Sequence, residues 1–215
     1  MFNFKTFNNI AEDGLDILRN NKFKEVTKDP DGILLRSHNL SKEDFEDSLL
    51  CVARAGAGTN NIPIEDATKN GIVVFNTPGA NANAVKELVV CGMLLSSRGI
   101  IEGIEFAKSL ELDNSEALNK AMEAQKKTFA GNELTGKTLG IVGLGSIGSM
   151  LAQAAHALGM KLVGYDPYIS IEGAWRLPRE VEKAETMEAL LQQSDYVSLH
   201  VPLVEATKNL INKSN

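Results

Sequence analysis

The sequence predicts an α/β protein built from parallel βαβ units in two successive doubly wound domains. Three observations carry that expectation. Short apolar or β-branched runs alternate with longer helical patterns from the first residues onward. Runs such as Ile33-Leu34-Leu35 and Ile72-Val73-Val74-Phe75 are apolar throughout, as strands covered on both faces are. A G-x-G-x-x-G at Gly143 to Gly148 stands between an apolar run and an amphipathic helical pattern.

The elements follow in order. Phe4 to Phe7, Gly32 to Leu35, Leu50 to Ala53 and Ile72 to Phe75 read as strands, with helical patterns at Ala11 to Asn20, Ser41 to Leu49 and Ile64 to Asn70 between them. Gly71 is placed to end the last of these helices as a left-handed cap. This first domain is expected to be flavodoxin-like and to span residues 1–97, as a domain that binds substrate. Val85, Leu88, Val89, Met93, Leu94 and Ile101 then share one face of a single long helix over Ala82 to Lys108. Residues 109–127 read as an exposed helical arm, opened by Asp113 and Glu116, with a narrow stripe of Leu118 and Met122. Such an arm is either a solvated helix or a subunit contact.

A Rossmann-type domain is expected over residues 98–215. Thr138 to Gly143 reads as a strand, Ile147 to Leu158 as a helix closed by Gly159, and Lys161 to Tyr165 as a strand. A less regular stretch passes Trp175, a helix forms near Met187 to Gln192, and Asp195 to His200 reads as a buried strand. The sequence then reaches Asn215 inside what reads as the next helix, so this domain is expected to be incomplete at its carboxyl end.

Composition narrows the function classes. With 215 residues, 43% hydrophobic and 23% charged, the chain belongs with globular proteins. Its apolar stretches are shorter than the ~20 residues that cross a bilayer, and its start lacks a signal-peptide pattern, so a cytoplasmic protein without a membrane partner is expected. The net charge of −6, with signs scattered along the chain, argues against nucleic acid. Cys51 and Cys91 each lie in an apolar run and read as buried free thiols, and His38, His156 and His200 are isolated, so no metal site is expected.

In the strand–loop–helix context of Gly143 to Gly148, each glycine has a task. Gly143 makes the tight turn, Gly145 admits a pyrophosphate to the backbone, and Gly148 lets helix pack on strand. Asp166, 18 residues past Gly148 at the end of the next strand, would accept ribose hydroxyls and repel a 2′-phosphate, which favours NAD over NADP. In the first domain, the loops after three strands converge on one edge: Arg36-Ser37-His38-Asn39, Arg54 to Asn61, and Asn76 to Asn81. Two arginines beside a glycine-rich run make an anion pocket, unless each arginine is simply engaged in a surface ion pair.

Arg54-Ala-Gly-Ala-Gly-Thr-Asn-Asn-Ile62, Asn76-Thr-Pro-Gly-Ala-Asn81 with Glu87-Leu88, Gly136 to Gly148, Gly164-Tyr-Asp-Pro167 and His200-Val-Pro-Leu203 with Thr207 together resemble the D-2-hydroxyacid dehydrogenases, in order and over essentially the whole chain. Arg36-Ser37 and the loops around Arg54 and Asn81 resemble the phosphoglycerate-oxidising branch. The resemblance implies NAD-dependent oxidation of the C2 hydroxyl of 3-phosphoglycerate, the entry to serine synthesis, by a homodimer or higher homo-oligomer. It places Arg36, Ser37, Arg54, Gly56 and Asn81 around the substrate or the nicotinamide end. It places Ser146 and Ile147 on the pyrophosphate, Asp166 on the ribose, and His200, Val201, Pro202 and Thr207 beside the adenosine.

The family's catalytic arginine, glutamate and histidine match nothing before Asn215. By that comparison His200 is a packing or adenosine-lining residue, and the chain alone is expected to be inactive. Two alternatives stand beside this reading: another 2-hydroxy acid as substrate, or a non-catalytic NAD-sensing interaction module on the same fold.

Overall fold

The computed structural model describes residues 2–110 and 115–215. Two compact units divide at Asn81/Ala82.

Unit 1 contains β1 (Phe2–Phe7), α1 (Glu12–Asn20), β2 (Phe23–Glu25), β3 (Gly32–Leu35), β4 (Cys51–Arg54), α2 (Ile64–Lys69) and β5 (Val73–Phe75). Its five strands pair in the order β2-β1-β3-β4-β5, and every pair is parallel. That is the flavodoxin-like order. Because side chains alternate across a strand, Ile33, Leu35 and Val52 share one face, where they are buried with Leu40, Leu49, Ile62, Ala67 and Ile72. Gly71 takes φ +69° after α2, the left-handed cap its position called for.

Two expectations fail in this unit. Ser41 to Leu49 forms only a short 3-10 turn at Lys42–Asp44, because the Asp44 carboxylate accepts the Ser41 amide and hydroxyl and Phe45 then leaves helical geometry. The apolar run Ile72 to Phe75 is not a doubly covered strand: β5 lies at the sheet edge, with Val73 and Phe75 more than half exposed.

Unit 2 contains α3 (Ala82–Ser97), α4 (Ile100–Ser109), α5 (Ser115–Gln125), β6 (Thr138–Val142), α6 (Ser146–Ala157), β7 (Lys161–Tyr165), α7 (Ile171–Ala174), β8 (Val181–Lys183), α8 (Met187–Gln193) and β9 (Tyr196–Leu199). The sheet order is β8-β7-β6-β9, all parallel, the order that opens a Rossmann-type sheet. Leu139, Ile141, Leu151, Ala155 and Leu162 form one core with Met93 of α3, and Val142, Val163, Met187 and Leu190 form a second. Each fully buried leucine such as Leu139 or Leu151 contributes about 1.5–3 kcal/mol.

The contact division at Asn81/Ala82 groups α3 with the second unit, because α3 buries Met93 against the β6–α6 core. The single helix expected over Ala82 to Lys108 is broken at Arg98-Gly99. There the segment Phe129 to Asn132 crosses the chain closely. Asn132 donates its amide to the Ser97 carbonyl at 2.9 Å, and a Cβ on Gly99 would lie 2.9 Å from the Phe129 backbone. Of the expected arm over 109–127, α5 forms with Leu118 and Met122 exposed, while Asp113 lies outside the described residues.

Cys91 is exposed rather than buried, and Cys51 is half-buried, its thiol pushed up in pKa by burial. Past β9 the expected helix is replaced by a 3-10 turn at Glu205–Thr207. The Thr207 hydroxyl takes over backbone partners there, bonding to the Pro202 carbonyl and accepting the Val204 amide. Among the described residues no helix is long and apolar enough to cross a membrane.

Candidate cofactor edge and anion edge

In unit 2 the strand order reverses between β6 and β9, and the crevice outside their carboxyl ends is where a doubly wound sheet receives ligands. Gly143 turns there with φ +88°. A Cβ on Gly143 would lie 2.6 Å from the His200 carbonyl oxygen and 2.9 Å from Val201 Cγ1, so two strand ends meet across a position only glycine fits. A Cβ on Gly148 would collide with the Gly143 carbonyl, whereas one on Gly145 would meet nothing. The backbone at Gly145 is thus open to a close-approaching group. The first intrahelical bond of α6 runs from the Ser149 amide to the Gly145 carbonyl, 3.0 Å. The amides of Ser146, Ile147 and Gly148 precede it and face outward from the positive end of the helix.

Asp166 ends β7. Its Oδ2 accepts the Leu144 amide at 2.8 Å and its Oδ1 the Tyr168 amide at 2.9 Å. These bonds hold the carboxylate beside the glycine loop, and each oxygen keeps a second lone pair for a hydroxyl. His200 hydrogen-bonds Ser198 Oγ through Nε2 at 2.9 Å, and burial lowers its pKa, so the ring is neutral at pH 7. Pro202 and Thr207 close the following loop through the Thr207 hydroxyl. Glycine cradle, outward amides and carboxylate fit a dinucleotide.

The sequence reading missed one part of this edge. A cleft of about 200 Å³ beside Gly145 and Ser146 is also lined by Ser170, Gly173 and Arg176. Ser170 caps α7, accepting the Gly173 amide, and a Ser before a short apolar run was a usable signal for it.

In unit 1 the corresponding reversal lies between β1 and β3. Asn8, at φ +67°, follows β1, and its Oδ1 accepts the amides of Ser37 (3.0 Å) and His38 (2.6 Å) after β3. Arg54 lies across the next loop: Nε donates to the Arg36 carbonyl at 3.0 Å and Nη1 to Asn60 Oδ1 at 3.2 Å. A Cβ on Gly58 would lie 2.9 Å from Nη1, so that glycine makes room for the guanidinium. The third loop joins through the Thr77 amide on the Gly56 carbonyl (2.9 Å) and Asn76 Nδ2 on the Ala57 carbonyl (2.7 Å).

The structure therefore brings Arg36, Ser37, Arg54 and Gly56 together, while Asn81 lies beyond the tie at Thr77, exposed. Among the described residues no carboxylate lies within 4.0 Å of Arg36 or Arg54, so the surface ion-pair reading is not what the structure shows. His38 stacks on Phe7, ring centroids 4.3 Å apart, and the exposed His156 stands 3.7 Å from Glu180.

Comparison with known proteins places these edges in context. The profile described as D-isomer specific 2-hydroxyacid dehydrogenase, NAD binding domain, matches residues 100–215. A D-3-phosphoglycerate dehydrogenase of Methanocaldococcus jannaschii is 37% identical over 88% of this chain and 34% of its own length. A hydroxypyruvate reductase of Thermotoga maritima is 35% identical over 92% of this chain and 60% of its own length. The chain thus spans about a third of one curated relative and three-fifths of the other. The NAD+-bound crystal structure of 3-phosphoglycerate dehydrogenase from Entamoeba histolytica superposes with a TM-score of 0.68 at 28% identity, covering 96% of this chain and 64% of that one.

Proposed function

The chain belongs to the D-isomer-specific 2-hydroxyacid dehydrogenase family, and from that premise we propose that it serves the oxidation of 3-phosphoglycerate at C2, the entry to serine synthesis. The cofactor of its family domain is NAD, which accepts a hydride when bound. The outward amides of Ser146 and Ile147 would hold the pyrophosphate, Asp166 the ribose hydroxyls, and His200, Val201, Pro202 and Thr207 the adenosine side.

One observation carries the choice of a phosphorylated acid. A protein of net charge −6 presents Arg36 and Arg54 at a single strand edge, free of carboxylates among the described residues, next to the loop Gly56 to Gly58. Concentrated positive charge of this kind suits a ligand bearing both a carboxylate and a phosphate. Arg36, Ser37, Arg54, Gly56 and Asn81 are the proposed substrate residues. The hydroxypyruvate reductase likeness supports a second reading, an unphosphorylated 2-hydroxy acid on the same edge.

Removing the hydroxyl proton needs a base in reach. His38 is stacked on Phe7, His156 stands by Glu180 on the outside of α6, and His200 is bonded to Ser198. None serves as that base in this proposal, so the 215-residue polypeptide by itself is expected to bind without turning over.

Exposed Leu88, Ile100, Ile101 and Ile104 along α3 and α4, with Leu118 and Met122 on α5, support a homo-oligomer. The unpaired Cys51 and Cys91 support a reducing, cytoplasmic compartment.

Amide resonances of the chain titrated with 3-phosphoglycerate test the reading. Shifts at Arg36, Ser37 and Gly56 to Gly58 are expected, and no shift there would overturn it.

A further inference from the structure

Asn61 is the one buried polar side chain of unit 1 among the described residues, 6% exposed. Its Nδ2 donates to the His38 carbonyl at 2.6 Å and to the Arg36 carbonyl at 3.4 Å, and its own main-chain carbonyl accepts the Leu40 amide at 2.9 Å. The Arg36 carbonyl is the same oxygen that receives Arg54 Nε. Asn61 Oδ1, by contrast, is buried with no partner. The amide cannot turn over to find one, because Oδ1 would then face two carbonyl oxygens. A leucine would fill this volume with no orphaned side-chain oxygen but would leave the His38 carbonyl without its donor, so what distinguishes the asparagine here is that donor and not packing. Both amide hydrogens are committed to one turn, at the expense of an orphaned oxygen.

That turn, Arg36 to Leu40, is gripped from two sides. Asn8 Oδ1 takes its amide hydrogens at Ser37 and His38, and Asn61 Nδ2 takes its carbonyls at Arg36 and His38. We propose that Asn61 is a positioning residue for the anion edge: by clamping the Arg36 to Leu40 turn it fixes where the Arg36 guanidinium meets an anionic ligand. The proposal rests on the reading of that edge given above. Asn61 acts through Arg36 and contacts no ligand itself.

Asn61→Leu and Asn61→Ala both remove the Nδ2 donor, the first keeping the side-chain volume and the second putting no new atom against the two carbonyls. The measurements on the 215-residue chain are amide hydrogen exchange at Ser37 and His38, melting temperature, and affinities for 3-phosphoglycerate and NAD. The expected result is exchange at least ten-fold faster at both amides and 3-phosphoglycerate affinity at least ten-fold weaker, with NAD affinity unchanged and Asn61→Leu melting close to the parent. If Asn61→Leu fails to fold, Asn61→Ala carries the same comparison. Unchanged exchange overturns the proposal, as does a lowered melting temperature with unchanged 3-phosphoglycerate affinity, which would make Asn61 a packing residue only. Should the parent chain bind no 3-phosphoglycerate, the substrate reading falls, and the exchange rates, which need no ligand, still decide the role of Asn61.

Discussion

The His200 carbonyl oxygen stands 2.6 Å from the place a Cβ of Gly143 would occupy, so the ends of β6 and β9 meet across a residue with no side chain. Two residues on, Gly145 has open space where its Cβ would be, and Gly148 has none. The three glycines of one motif thus answer to different physical demands. Their substitutions should separate accordingly.

Gly148→Ala forces a methyl into the Gly143 carbonyl, a backbone atom that no rotamer change can move aside. Overpacking of this kind costs about 1–3 kcal/mol, and both melting temperature and NAD affinity should fall. Gly145→Ala should keep the melting temperature and lose NAD affinity, because its methyl occupies only the space an incoming ligand would take. Thermal melts paired with calorimetric titrations check both, and a stable, NAD-binding Gly148→Ala would contradict the packing.

Asp166→Ala should erode the preference for NAD over NADP at least ten-fold, since the carboxylate that accepts a 2′-hydroxyl also repels a 2′-phosphate. The variant also strands the amides of Leu144 and Tyr168, so a modest loss of stability is expected with it. Titration with both cofactors decides. Equal affinity for the two in the unmutated chain would sink the assignment.

Burial lowers the His200 pKa below 6.5 in the folded chain. Between the folded and unfolded values the unfolded chain binds more protons, so this residue's contribution is present above about pH 6.5 and is lost as pH falls toward the folded value. His200→Gln should flatten the fall in melting temperature over that interval. An identical pH profile in the variant would show that the ring does not report its burial.

β9 has no strand on its outer side among the described residues, and Val197 and Leu199 are exposed there. An apolar edge of this kind templates pairing with another chain. The 215-residue polypeptide should therefore self-associate while folded as its concentration rises, and Val197→Lys should reduce the association. A monomer whose sedimentation does not change with concentration would contradict this expectation.

What the sequence disclosed depended on how local the cause was. The β6–α6 turn was legible because its strand, its glycines and its helix are contiguous, and Gly71 and Gly159 both took the positive φ their positions called for. The break at Gly99 was not, because what requires it is Phe129, distant in sequence and close in space. Ser41 to Leu49 carried a helical pattern, yet the Asp44 carboxylate on the Ser41 amide won locally. On the anion edge, Arg36 and Arg54 were visible as charged residues after strands. Asn61 was not, since nothing in Thr59-Asn60-Asn61 distinguishes the asparagine that turns inward from the one that meets Arg54.

Arg54 is held by geometry as well as by charge, through Nε on the Arg36 carbonyl and Nη1 on Asn60. Arg54→Lys keeps the charge and loses the planar fork, so it should weaken 3-phosphoglycerate binding nearly as much as Arg54→Ala does. Full retention of affinity in Arg54→Lys would show that charge alone suffices there.

The most direct test of the central claim compares 3-phosphoglycerate with D-glycerate, which lacks only the phosphate, in calorimetric titrations of the NAD-saturated chain. If Arg36 and Arg54 hold a phosphorylated 2-hydroxy acid, 3-phosphoglycerate binds at least ten-fold more tightly, as about 1.5–3 kcal/mol per charge-assisted contact requires, and Arg36→Ala abolishes the difference. Equal affinity for the two acids in the unmutated chain would contradict the account.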